Sequence, residues 1–112
     1  MIRYLISFDD GAMTFPEEEL PEVGIAAHRV LHEARAAGVL VTGGEVITEH
    51  ASTVGTDGTI ADGPFPNTKA VIGGFSIVDV PSREDALAWA AKFAVACRCA
   101  QEVRELMDDP DV

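Results

Sequence analysis

The residues best suited to chemistry fall into a few short groups. The central stretch Ala61-Asp62-Gly63-Pro64-Phe65-Pro66-Asn67-Thr68-Lys69 combines an acid, a ring and an amine within the densest turn chemistry of the chain. Asp62 has two readings: its carboxylate caps the turn by accepting from backbone amides, or it faces a cleft as a base or acceptor for a ligand. Gly63 and Pro64 supply turn geometry. Phe65 is either a loop anchor or a ring that stacks on a ligand. Lys69 is either solvated and paired with the abundant acids, or a site for an anion, helped by the backbone amides of Gly73 and Gly74.

His28 and His32 stand four residues apart on one face of a predicted helix. That spacing can hold a metal, but the zincin pattern places Glu directly after the first His, and Arg29 stands there, so no metal is expected. His28 alone suits a general base, since a neutral imidazole near pH 7 accepts protons. Glu102 and Arg104 alternate onto one face of the last predicted strand. They form a polar pair able to bind or protonate a small molecule if that face lines a cleft, and an ordinary ion pair if it is a rim. Cys97 and Cys99 enclose too short a loop for an unstrained disulfide and make half a zinc site at most, so reduced thiols are expected.

Those groups need elements to position them. Ile2, Tyr4, Ile6 and Phe8 alternate with Arg3, Leu5 and Ser7, the period of a strand with a partly apolar second face. A helix follows from about Glu22, after a short turn that Pro21 separates from it, with Leu20, Val23, Ala27, Leu31 and Ala34 as its stripe and Gly38 as its closing glycine. Residues 39–47 read as a strand interrupted by Gly43-Gly44, which marks a bulge or a close approach to the backbone. Asp57-Gly58 reads as a two-residue hairpin turn. A second long strand covers Val71 to Val80, with Phe75, Ile77 and Asp79 facing away from Ser76, Val78 and Val80. Ser82 and Asp85 resemble a capping box, opening a helix with the stripe Ala86, Leu87, Ala90, Phe93 and Ala94. A last strand runs from about Ala100 to Met107.

The order β-α-β, small hairpin, β-α-β is the ferredoxin-like pattern, an α+β fold with two helices on one face of an antiparallel sheet. A sheet from a second chain would cover the other face, which predicts a homodimer packed sheet to sheet. The length fits one domain spanning residues 1–112. The formal charge of −11, from 19 acidic and 8 basic residues, argues against nucleic acid and anionic membranes as partners. No apolar run nears the ~20 residues that cross a bilayer, and the first strand lacks the features of a signal peptide, so a cytoplasmic address is expected. With no Gly-rich loop at a strand-to-helix junction, no nucleotide cofactor is expected.

Asp62-Gly63-Pro64-Phe65, then Thr68-Lys69, then Gly73-Gly74-Phe75, resemble the signature of the YCII-related family, in its DGPF branch. Ala36-Ala37-Gly38-Val39-Leu40, Asp85-Ala86-Leu87-Ala88-Trp89-Ala90 and Glu102-Val103-Arg104 extend the resemblance from Arg3 to Met107. It implies a dimeric α+β barrel of ferredoxin-like halves. It also implies action on chlorinated aromatic rings without a redox cofactor in a few relatives, and a proposed catalytic His–Asp pair. His28 is the match to that histidine. The aspartate's region reads Phe93-Ala94-Val95-Ala96 and holds no acid.

Three functions follow as expectations. One is a cofactor-independent lyase or isomerase-like enzyme for a small aromatic or carbonyl compound, with His28 or Asp62 as base and Lys69, Glu102, Arg104 and Phe65 binding the ligand. Another is a binding module without turnover. The third is a protein–protein accessory, for which neighbourhood to alternative sigma factors in the family makes a regulatory partner conceivable. An apolar cleft holding His28 and Asp62 favours the first two, and a solid core with an exposed apolar patch favours the third. The enzyme reading requires His28, Asp62 and Arg104 to converge.

Overall fold

A computed structural model of the chain describes residues 1–63 and 72–112. Its elements run β1 (Ile2–Asp9), α1 (Leu20–Ala36), β2 (Leu40–Glu45), β3 (Ser52–Val54), β4 (Ile60–Asp62), β5 (Ile72–Val80), α2 (Arg83–Cys97) and β6 (Glu102–Glu105). Four strands form an antiparallel sheet in the order β2-β5-β1-β6, while β3 and β4 form a separate two-stranded ribbon. This is the ferredoxin-like arrangement, with the ribbon inserted between the two β-α-β halves. The two longest strands, β1 and β5, occupy the centre and pair from Ile2–Val80 to Phe8–Gly74 before the register shifts at Asp9.

Alternation along these strands sorts the core. Tyr4 and Ile6 of β1 and Val78 and Val80 of β5 lie on one face and are fully buried. Val30 of α1 and Ala86, Ala90, Phe93 and Ala96 of α2 pack onto them. Both helices therefore cover the same face. On α1, Val23 and Ala34 of the expected stripe are buried, but Leu20 is exposed and Val30 takes an inner place. On α2, Leu87 is likewise exposed while Ala96 and Cys97 are buried.

The helix ends follow local chemistry. Pro21 does not delay α1; it occupies the first turn, where its missing N–H has no intrahelical partner to lose. The short turn expected ahead of the helix is a single 3-10 turn over Glu17–Glu19. Gly38, with φ of 76°, takes the left-handed position after the cap residue Ala37. Ser82 caps α2, its Oγ accepting from the Asp85 amide at 3.3 Å. Arg98 ends α2 in the left-handed conformation. Its guanidinium is held by Glu19 at 2.8 Å and lies 5.8 Å from the Phe15 ring centre.

The ribbon turn differs from the two-residue form. The Gly55 amide donates to the Thr59 carbonyl and the Gly58 amide to the Gly55 carbonyl, so three residues form the loop and only Gly58 adopts positive φ. The Asp57 carboxylate braces this loop from within, accepting from the Thr59 amide at 3.0 Å and the Thr59 hydroxyl at 2.6 Å. Those hydrogen bonds, the hydroxyl's first, hold its carboxyl below the ordinary range.

Candidate functional site

The face of the sheet opposite the helices presents a second set of side chains, fixed by the same register. Leu5 on β1 stands between Ile77 on β5 and Arg104 on β6. One step along, Ser7 stands between Phe75 and Glu102. In the other direction Arg3 pairs with Asp79. Toward the β2 edge, Thr42 and Gly44 pair with Ile77 and Phe75. The centre is thus apolar and only half-buried, through Leu5, Phe75 and Ile77, with charge on its β6 side and at the Arg3–Asp79 end. Arg104 is ion-paired with Glu102 along its own strand, with both side chains about half exposed. At the Arg3–Asp79 end a groove of about 550 Å³ continues past Glu105 and Met107.

Glu102 and Arg104 therefore stand on this helix-free face. His28 does not. It is exposed on α1, across the sheet, with its ring edge-on to His32 at 6.3 Å between centres. Asp62 ends β4 in the ribbon, where it accepts from the Ser52 hydroxyl at 2.7 Å and so ties the two ribbon strands together. Within one chain His28, Asp62 and Arg104 thus occupy three separate regions. Phe65 and Lys69 lie outside the described residues. Arg3 and Asp79 were not among the candidates from sequence; antiparallel pairing of the two long strands was the signal that could have found them.

Packing explains three of the four paired glycines. A Cβ on Gly74 would fall 2.6 Å from the Phe8 ring, and one on Gly73 would meet the Asp10 backbone at 3.1 Å. Gly43 similarly faces the Phe75 carbonyl at 2.7 Å. Gly44, by contrast, has open space where its Cβ would be. The Gly73 carbonyl accepts from the Val46 amide, which continues the β2–β5 pairing by one residue.

Few groups have altered acidity. Burial, then the nearby Glu105 carboxylate, raises the Tyr4 phenol, which donates to Glu105 at 3.4 Å. Burial pushes the Cys97 thiol up to about 11, with smaller contributions from Cys99 and Glu45, and burial also raises Cys99. Both thiols are free, and neither has the lowered pKa of a nucleophile. Among the described residues no group of three or more His, Cys, Asp or Glu side chains could hold a metal ion. No helix among them is long and apolar enough to cross a membrane.

The model of the YCII-related domain matches residues 3–108. The chain belongs to the YCII-related family. Among solved structures, this YCII-related chain is similar to a 5-chloro-2-hydroxyhydroquinone dehydrochlorinase from Burkholderia phenoliruptrix AC1100, in complex with 2,5-dihydroxybenzoquinone. The TM-score is 0.55 at 15% identity, over 99% of this chain and 98% of that one, a likeness of fold. No curated protein matches the sequence.

Proposed function

We propose that this YCII-related chain binds a small organic molecule on the helix-free face of its sheet, in a cleft closed by the sheet of a second copy. The observation that carries this reading is the composition of that face. Leu5, Phe75 and Ile77 offer an apolar floor, and Arg3, Asp79, Glu102 and Arg104 flank it. A floor of this kind contacts a ring, while a guanidinium recognises an anionic oxygen through directed N–H donors. A sheet that packs on another sheet completes such a cleft, since a single open face leaves a ligand half in water.

Catalysis without a cofactor, as a lyase or isomerase-like enzyme, further requires a base that reaches the ligand. Asp79 and Glu102 supply the carboxylates of this face, and they are the bases this reading assigns. His28 lies across the sheet and is given no role, and Asp62 would enter only through the ribbon. The dehydrochlorinase of similar fold lends its ligand as a probe. In NMR titration with 2,5-dihydroxybenzoquinone, amide shifts are expected to cluster on β1, β5 and β6, and Arg104→Ala to weaken binding about tenfold. Shifts confined to α1 and α2, or equal affinity in the variant, would rule this site out.

The exposed outer side of α2 favours a second reading, an accessory that works by contact with another protein. Leu87 is 43% exposed and Val95 81% exposed on that side.

A further inference from the structure

Two polar residues are buried among the described ones, and their places differ. Ser76 on β5 is 4% exposed and lies on the helix side, beside Ile6 of β1. Its size follows from the close approach of β2: a Cβ on Gly43 would lie 3.3 Å from the Ser76 Cβ. Ser7 on β1 is 3% exposed and lies on the open face, in line with Arg3 and Leu5. Its cross-strand partners there are Phe75 and Glu102.

The larger side chains of Phe75 and Glu102 account for a small residue between them. They do not account for a hydroxyl, because alanine would fill the same space on an apolar floor. Glu102 accepts from Arg104, and the Tyr4 hydroxyl on the opposite face donates to Glu105. Among the described residues none bonds the Ser7 hydroxyl. A hydroxyl sealed from water without a partner is costly, and no described polar side-chain atom is in that state. The Ser7 oxygen therefore opens onto the face, between Phe75 and Glu102. Register also sets its distance from the guanidinium. Arg104 stands opposite Leu5 and Glu102 opposite Ser7, so Ser7 and Arg104 are diagonal neighbours. Such positions lie about 7–8 Å apart along a sheet. A six-membered ring laid over Leu5 and Phe75 spans that diagonal, one edge toward the guanidinium and the opposite edge toward the hydroxyl.

We propose that Ser7 is a specificity-determining residue of the ligand site, donating to a second oxygen of a ring whose first, anionic oxygen is held by Arg104. The inference rests on the open-face reading above and narrows it to ligands that carry oxygen on opposite edges of the ring. A ring oxygenated at one edge alone would cover the hydroxyl and leave it unpaired, the loss by which a buried polar group rejects an incomplete ligand.

Titration calorimetry of the full chain with 2,5-dihydroxybenzoquinone, beside thermal unfolding, tests this. Ser7→Ala is expected to weaken binding about five- to tenfold without lowering the melting temperature, since it removes a hydroxyl that no described residue bonds. Ser7→Thr and Ser7→Val share nearly one shape and differ by the hydroxyl, so the former is expected to bind about fivefold more tightly than the latter. Equal affinity within either comparison would overturn the proposal, as would a Ser7→Ala chain that melts lower and binds as well as wild type. The two readings fail separately. Binding that weakens in Arg104→Ala but not in Ser7→Ala overturns the role of Ser7 alone, whereas a wild type that does not bind overturns the open-face site with it.

Discussion

The two faces of one sheet share the same strands and meet different environments. Toward the helices, Tyr4, Ile6, Val78 and Val80 are at most 1% exposed. Away from them, Leu5, Phe75 and Ile77 alternate with those residues along the same backbone and stay half-buried. The first face is closed by parts of its own chain and carries stability. The second is apolar at its centre and carries charge on its β6 side and at the Arg3–Asp79 end. Because the period of a strand is two, a single sequence writes both surfaces at once.

The sharpest test of this division is a pair of ring deletions. Phe93→Ala empties a site 6% exposed in the helix-side core and is expected to cost about 3–5 kcal/mol. Phe75→Ala on the open face should cost clearly less in dilute protein, where no second sheet is present. Urea unfolding at low and high protein concentration checks both. If sheets pair, the cost of Phe75→Ala rises with concentration while that of Phe93→Ala holds.

The glycines give a smaller version of the same contrast. Gly74→Ala sets a methyl against the Phe8 ring and is expected to destabilise by about 1–3 kcal/mol. Phe8→Leu in the same chain should recover part of that loss. Gly44→Ala points into open space and should shift stability by no more than about 0.5 kcal/mol. Equal effects at the two positions would mean that the faces are not packed as described.

A gentler effect comes with pH. The buried Cys97 thiol holds its proton up to about 11, above the ordinary thiol range. At neutral pH the thiol is protonated in both folded and unfolded chains and contributes no slope. As pH rises through the ordinary range, the unfolded chain ionises first, so stability falls until the folded thiol ionises too. Tyr4, raised by burial, acts in the same direction at higher pH. Cys97→Ala is expected to flatten the alkaline decline between the ordinary thiol range and about 11 in urea titrations. An unchanged slope would assign the decline to other groups.

Much of this architecture is legible in the residues, and where it fails the reasons are physical. Alternation in β1 and β5 announced both faces, Ser82 announced a capped helix, and Gly38 marked the end of α1. Leu87 misled because α2 is apolar around most of its circumference, so periodicity cannot choose which arc is buried. Leu20 and Val30 fit nearly the same periodic stripe on α1, and packing decided between them. Asp57-Gly58 has the composition of a two-residue turn, but the Thr59 hydroxyl gave the Asp57 carboxylate a local partner and the loop took a third residue. The candidate site was harder. That Glu102 and Arg104 share one side of their strand is legible from alternation alone. Arg3 and Asp79 come together only through cross-strand register, and Asp62 binds a serine ten residues earlier. Spacing along a chain reports neighbours on one element, and a site drawn from several strands needs their pairing.

The smallest expected effect on stability is also the most informative about the open face. Arg104 and Glu102 form an ion pair exposed to water, and such pairs contribute about 0–1 kcal/mol. Arg104→Met keeps an apolar stem and removes the charge, so thermal unfolding should move little. If the face binds a ligand, the same change should remove recognition of an anionic oxygen, and affinity for 2,5-dihydroxybenzoquinone should fall about tenfold, with Arg104→Lys recovering only part of it because an ammonium lacks the planar fork. A residue kept for stability would show the reverse: a shifted melt and unchanged binding. The two measurements move independently only if the helix-side face holds the fold and the open face meets the ligand.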